Sequence, residues 1–115
     1  MTTDTIVAPA TAEGIAGLSV IRVSGKKSHS LCLKLTKKKV KLLDRKPVLS
    51  PIFLNKSIID RALITLFKAP RSYTGEDVVE ISCHGSPIIV KSIINLLCGF
   101  GARMANPGEF TMRSF

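Results

Sequence analysis

Two opposite charges stand where strand patterning calls for apolar side chains. In the run Leu18–Ser24 (LSVIRVS), Arg22 shares a face with Leu18 and Val20, and in residues 77–83 (DVVEISC), Glu80 shares one with Val78 and Ser82. An arginine inside such a strand must snorkel at an edge, meet an acid or meet a ligand. A fixed carboxylate can accept two parallel N–H bonds, from a ring nitrogen and its exocyclic amine. A nearby guanidinium can then hold a carbonyl or carboxylate of the same ligand. The same two residues would equally suit a salt bridge across neighbouring strands or a solvated sheet face. Spacing alone leaves both readings open.

The other reactive side chains are harder to assemble into a site. His84 precedes Gly85 and could act as a ligand-side donor or an acid–base group, but a histidine that closes a turn explains it more simply. No Cys, His or carboxylate lies at metal spacing from it, so no metal ligand is assigned. His29 falls on a lysine-rich helix and is expected to be exposed. Asp77, Glu76 and Glu109 read as turn and helix-start acids. Residues 14–17 (GIAG) and 25–28 (GKKS) both fail the GxxxxGK[ST] pattern, so no recognised P-loop for GTP is present. No Ser-His-Asp or Cys-His order has supporting context, and no catalytic residue is assigned. Cys32, Cys83 and Cys98 lack CxxC spacing and are odd in number, which points to small core residues in a reducing setting.

Arg22 and Glu80 need strands to hold them. Residues 4–8 predict a short strand, 9–17 a flexible loop, and Leu18–Ser24 a second strand. A helix begins at Ser24 or Ser28 and runs to about Leu35, burying Leu31, Leu35 and Cys32. Residues 36–48 are lysine-rich and irregular, and Pro47 and Pro51 confine any strand there to an edge. Residues 55–60 predict a polar turn. Residues 61–68 form a strand apolar on both faces, which places it centrally. Residues 72–76 turn before the Glu80 strand. Beyond it, Ser86 caps and Pro87 opens a helix over 86–98, with Ile89, Ile93, Leu96 and Leu97 at helical spacing and Gly99 or Gly101 ending it. A short strand at 102–105, a turn at 106–108 and a helix from Glu109 complete the chain. The expected fold is α+β: a mixed sheet of about five strands with two to three helices, mainly on one face.

At 115 residues the chain is one domain. Its 45% apolar content excludes wholesale disorder. The net charge of +9 favours anionic partners, yet about half the basic residues fall within 26–46, where a solvated basic face is the plainer reading. One Tyr and no Trp leave little for base stacking, so a dedicated nucleic-acid reader is disfavoured. No secretory pattern opens the chain and no run reaches membrane-span length, so a cytoplasmic protein is expected.

The run YTGEDVVEISCHG resembles the signature of the N-terminal domain of the MnmE (TrmE) tRNA-modification GTPase family. Residues 4–8 (DTIVA) with 19–25 (SVIRVSG), and residues 106–111 (NPGEFT), agree with that family in order and spacing. The resemblance covers most of the chain outside residues 26–60. It implies a fold similar to tetrahydrofolate-binding, aminomethyltransferase-type domains, residues 1–115 forming a single folate-binding and dimerisation domain, and 5-formyltetrahydrofolate as cofactor. The family's folate contacts map onto Arg22 in VIRVSG and Glu80 in VVEIS. A third, a lysine shortly after the PGEF motif, would fall beyond Phe115 and leave the site incomplete. The resemblance also implies a homodimer, partnership with the FAD-containing MnmG (GidA) protein, and modification of the wobble uridine of tRNA. GTP, Mg and K would belong to a GTPase domain that, like the helical domain, is absent from these residues, so no GTP hydrolysis is expected of them. Two departures stand out: Ser86 where many relatives have a second glycine, and residues 12–15 (AEGI) where relatives often read Pro-Gly-x-Gly. The second weakens the first loop as a ligand clamp.

Two other readings compete. One is a basic RNA-binding module without a small-molecule ligand, with residues 26–46 as its contact surface. The other is a fragment of an aminomethyltransferase-like enzyme, for which no unassigned catalytic acid stands out.

Overall fold

In a computed structural model, which describes residues 4–11 and 17–115, the alternating runs form one six-stranded sheet. The elements are β1 (Ile6–Pro9), β2 (Leu18–Ser24), α1 (Ser28–Leu35), β3 (Val48–Leu54), β4 (Ser57–Phe67), β5 (Val78–His84), α2 (Pro87–Phe100), β6 (Arg103–Met104) and α3 (Glu109–Arg113). The strand order is β3-β4-β5-β2-β1-β6. All neighbours are antiparallel except β1 and β6, so the sheet is mixed and the α+β expectation holds.

Period-two alternation decides which face is buried. Val7, Ile21, Val23, Ile64, Leu66, Val79 and Ile81 all point to one side and are 0–1% exposed. Leu31, Cys32 and Leu35 of α1 and Ile93 and Leu97 of α2 close over them in a single cluster. Each such side chain contributes about 1.5–3 kcal/mol of burial. Among the described residues no helix is long and apolar enough to cross a membrane.

Several boundaries follow from local chemistry. Ser86 caps α2, its Oγ accepting the Ile89 N–H at 3.5 Å, and Pro87 takes the first helical position. Gly101, at φ +128°, ends that helix. For α1 the expected serine cap is absent: Lys27 holds the cap position, and Ser28 instead donates to the carbonyls of Gly25 and Asp77. Pro51 lies in β3, which is indeed an edge strand.

The polar turn expected at 55–60 is much shorter. Only Asn55 and Lys56 turn, Asn55 at φ +56°, and β4 starts at Ser57, because pairing with β3 recruits Ser57, Ile58 and Asp60 into the ladder. β4 does lie between two neighbours, but its second face is not buried: Ala62, Ile64 and Leu66 face the helices, while Leu63 is 43% exposed. A strand can be apolar on both faces without being covered on both. His29 is half-buried rather than exposed. The loop reading for 9–17 and the departure at 12–15 concern residues that fall largely outside those described.

Among the described residues, the sheet's second face is covered at one end only. Ile6, Ser24 and Val78 lie side by side across β1, β2 and β5, and all are buried. Ser24 Oγ meets Thr74 Oγ1 at 2.6 Å and donates to Glu76 Oε1 at 2.8 Å, which seats the 72–76 turn over this row. Arg113 of α3 binds the same Glu76 oxygen at 3.0 Å and the Asp4 carbonyl at 2.8 Å. Glu76 is thus a link between three segments and not merely a turn acid. The remainder of this face is open.

Candidate ligand site on the open face of the sheet

Arg22 and Glu80 meet on the open face. They are directly paired in the β2–β5 register, and Arg22 Nε and Nη2 both reach Glu80 Oε2, at 3.0 and 2.9 Å. The cross-strand salt bridge foreseen as one alternative is therefore formed. Their side chains are 28% and 31% exposed, so the pair contributes about 1 kcal/mol or less to stability. Both donors converge on one oxygen, and among the described residues Oε1 of the carboxylate and Nη1 of the guanidinium have no hydrogen-bond partner.

The surroundings suit a flat polar ring. The guanidinium carbon of Arg22 lies 5.1 Å from the centre of the Tyr73 ring. On the Glu80 side is a hollow of about 460 Å³, lined by Arg45, Phe67, Arg71, Ser72, Tyr73 and Glu80 among others. That volume falls in the range of roughly 300–1,000 Å³ typical of small-molecule pockets. On the Arg22 side is a second hollow of about 340 Å³, with Ala8, Pro9, Asn106, Pro107 and Phe110 in its wall. The charge pair is the ridge between them. Three segments distant in sequence, the 72–76 turn, the β2 strand and the NPGEF turn, converge on that ridge.

Neighbouring charges tie this corner together. Glu109 accepts from Arg103 Nη1 and Nη2 at 3.0 and 2.6 Å and from the Asn106 N–H at 2.9 Å. The Arg103 bonds, reinforced by the Asn106 amide, lower the Glu109 carboxyl to about 2. Arg103 also reaches Asp4 at 2.9 Å. A start-of-helix acid in sequence is, in the fold, the anchor that fixes the NPGEF turn beside Arg22.

His84 does not join the pair. It lies at the far end of β5, about 13 Å along the strand from Glu80 at ordinary rise. There Asp60 accepts its backbone N–H at 2.9 Å and contacts ring Nδ1 at 2.6 Å. Burial alone would raise the Asp60 carboxyl, but hydrogen bonds from the His84 amide and ring and from the Arg61 amide outweigh it and hold the group low. His84 closes the strand end, as its simpler reading had it. Cys32 and Cys83 are buried, and burial pushes their thiols up to about 12 and about 11. They are core residues, whereas Cys98 is half-buried. Among the described residues, no three His, Cys, Asp or Glu side chains gather closely enough to hold a metal ion.

A larger hollow, about 590 Å³, lies elsewhere, between α2 and the ends of β1 and β2, and neither Arg22 nor Glu80 is among its described lining residues. Its lining is mainly apolar, with Lys91 the charged contributor among the described residues. Among its described residues it lacks the paired acceptor and donor of the ridge, which leaves the open face as the candidate site. Sequence reasoning missed Tyr73, Phe67 and Arg45 there. Tyr73 offered a signal, being an isolated aromatic in a polar turn; the other two enter only through tertiary contact.

The profile of the family described as "GTP-binding protein TrmE N-terminus" matches residues 5–115. Among curated proteins, the chain is similar to the tRNA modification GTPase MnmE of Francisella philomiragia, 48% identical over 114 residues. That match covers 99% of this chain and 25% of the relative. The protein of the same name from Aliarcobacter butzleri is 50% identical over 113 residues (97% and 25%), and that from Thermotoga maritima 43% over 112 residues (97% and 25%). The chain therefore spans about a quarter of the length of these relatives.

Proposed function

This chain belongs to the TrmE N-terminal family, and from that membership we propose that it is the tetrahydrofolate-binding and dimerisation domain of a tRNA-modification GTPase. The ligand is 5-formyltetrahydrofolate. Glu80 accepts N–H bonds from its pterin ring, and Arg22 holds a carbonyl or carboxylate of the same molecule. Bound folate supplies a one-carbon unit. The whole protein, a homodimer working in the cytoplasm with the FAD-containing MnmG partner, adds a carboxymethylaminomethyl-type group to the wobble uridine of tRNA. GTP, Mg and K serve its GTPase domain, which drives conformational change.

The observation that carries this reading is the Arg22–Glu80 ridge, which keeps Oε1 of its carboxylate available beside an aromatic wall. Glu80 would take a ring N–H on Oε1 while Arg22 keeps Oε2, or on both oxygens if Arg22 swings toward the ligand. Dimerisation draws support from Leu18, Leu49 and Leu63, which are 64%, 66% and 43% exposed on the open face. Isothermal titration of the chain with 5-formyltetrahydrofolate tests the reading: binding is expected, and Glu80→Ala should abolish it while leaving a cooperative thermal melt. Absence of binding both to the unaltered chain and to the full-length protein refutes it.

One observation favours the RNA-binding reading: every lysine between Lys26 and Lys46 is exposed. If the lysines serve RNA, tRNA should bind with a steep salt dependence and folate should not bind at all. A solvated face predicts neither.

A further inference from the structure

The hollow beside Glu80 carries two guanidinium groups that the proposed ring contacts do not use. Arg45 and Arg71 both line it, and both are exposed. Arg45 belongs to the basic stretch 26–46, where Lys37 and Lys38 share its left-handed backbone, and of that stretch it is the residue that lines this hollow. Its backbone is left-handed, at φ +61°, a conformation that residues with a side chain adopt only when their surroundings impose it. The imposing contacts are visible. Arg45 N–H donates to the Leu66 carbonyl at 2.7 Å, Asp44 bridges to Leu66, and Asp44 Oδ1 accepts the Lys68 N–H at 2.8 Å. The side chain then lies over Phe67, 5.3 Å from the ring centre, and its Nη2 donates to the Arg71 carbonyl.

Charge at this rim is poorly neutralised. The acid nearest Arg45 is Asp44, at 4.0 Å, and among the described residues Arg71 has no carboxylate within salt-bridge distance. Glu80, the acid of the hollow, is already engaged by Arg22. The hollow thus has an acceptor end with an aromatic wall and, at its rim, two planar forks suited to carboxylates.

We infer that Arg45 and Arg71 form a subsite for the glutamyl tail of the folate, selecting ligands with several tail carboxylates over those with none. This rests on the folate reading of Glu80. A pterin ring held at the ridge brings its p-aminobenzoyl-glutamyl arm out over one hollow or the other. Of the two, the hollow beside Glu80 offers Arg71, which among the described residues has no carboxylate within salt-bridge distance, and Arg45, whose contact with Asp44 is a long 4.0 Å. The second contains Arg22 and Glu109, which are engaged by Glu80 and by Arg103. Each further γ-linked glutamate adds one carboxylate, which gives the two guanidiniums a graded target.

The test is calorimetric titration with two probes, 5-formyltetrahydropteroate, which has no glutamate, and its triglutamate conjugate. The unaltered chain should bind the triglutamate on the order of tenfold tighter, the worth of a charge-assisted hydrogen bond or two. In Arg45→Gln/Arg71→Gln the ratio of the two affinities should fall toward one. Arg71→Gln alone removes a side chain that makes no hydrogen bond or ion pair among the described residues, and it should narrow the ratio with an unchanged melting temperature. A ratio near one in the unaltered chain, or a full ratio in the double variant, overturns the tail subsite and leaves Glu80 as the ring contact. Failure of both probes to bind either the unaltered chain or the full-length protein overturns the folate reading and this subsite with it. Should the double variant lose affinity for tRNA while keeping its tail preference, the arginines serve a phosphate backbone and the assignment falls.

Discussion

Arg22 and Glu80 stand in direct register across β2 and β5, with both guanidinium donors on one carboxylate oxygen at 3.0 and 2.9 Å. The polarity of this pair, not only its existence, matters if a ligand reads it. Exchanging the two as Arg22→Glu/Glu80→Arg preserves the salt bridge, and the pair contributes about 1 kcal/mol or less. The swapped protein is expected to melt within a few degrees of the unaltered one and to lose 5-formyltetrahydrofolate binding in calorimetry. Normal binding by the swapped protein would remove the pair from the ligand site.

Gly25 ends β2 where the chain passes Thr5. At φ +137°, a Cβ there would lie 2.6 Å from Thr5 Oγ1 and 2.7 Å from Thr5 Cα, a backbone atom that cannot rotate aside. Gly25→Ala should therefore cost well over the roughly 1 kcal/mol that positive φ alone imposes. Gly75 is a built-in comparison, at φ +81° with nothing within 4 Å of its Cβ position, and Gly75→Ala should show only the smaller cost. Urea titrations of both variants decide the matter, and equal losses would contradict the steric account.

Glu109 makes stability depend on acid. Its carboxyl is held at about 2, below the usual 4.5, chiefly by Arg103. A folded value below the unfolded one means that the contribution is complete above about pH 4.5 and is lost as the pH falls toward 2. Asp60, also held low, loses its contribution in the same direction. Melting temperatures measured across this window should fall more steeply for the unaltered chain than for Glu109→Gln. Parallel curves would show that the Arg103 bonds do not favour the charged form.

The three cysteines should differ in reactivity. Burial pushes Cys32 to about 12 and Cys83 to about 11, the latter also through the nearby Asp60 charge, and a protonated thiol is a poor nucleophile. Alkylation at about pH 8 followed by peptide mass spectrometry is expected to mark half-buried Cys98 first and the others only on unfolding. Rapid labelling of Cys32 in the folded protein would indicate that α1 opens readily from the sheet.

Much of the fold was legible because its signals are local. The β2 run Leu18–Ser24 and the Ser86-Pro87 start of α2 stand where alternation and capping chemistry put them. Pro51 announced an edge strand, though β3 itself went unassigned, since no alternation in residues 48–54 separates it from a loop. The start of β4 was misjudged for a related reason. Residues 57–60 read as a polar turn until β3 pairs with them across a two-residue hairpin, and that ladder outweighs their composition.

The sequence by itself determined that two opposite charges would interrupt two strands, that helices would cover one sheet face, and that the NPGEF turn would open a last helix. Only the tertiary structure decided that those charges touch. They lie 58 residues apart, and register, which no residue carries alone, is set when the whole core face of the sheet is buried against α1 and α2. It also decided that Tyr73, Phe67 and Arg45 share one hollow with Glu80, since a side chain's neighbours across a sheet follow from strand order, and strand order is a sum over the long-range contacts of the entire chain.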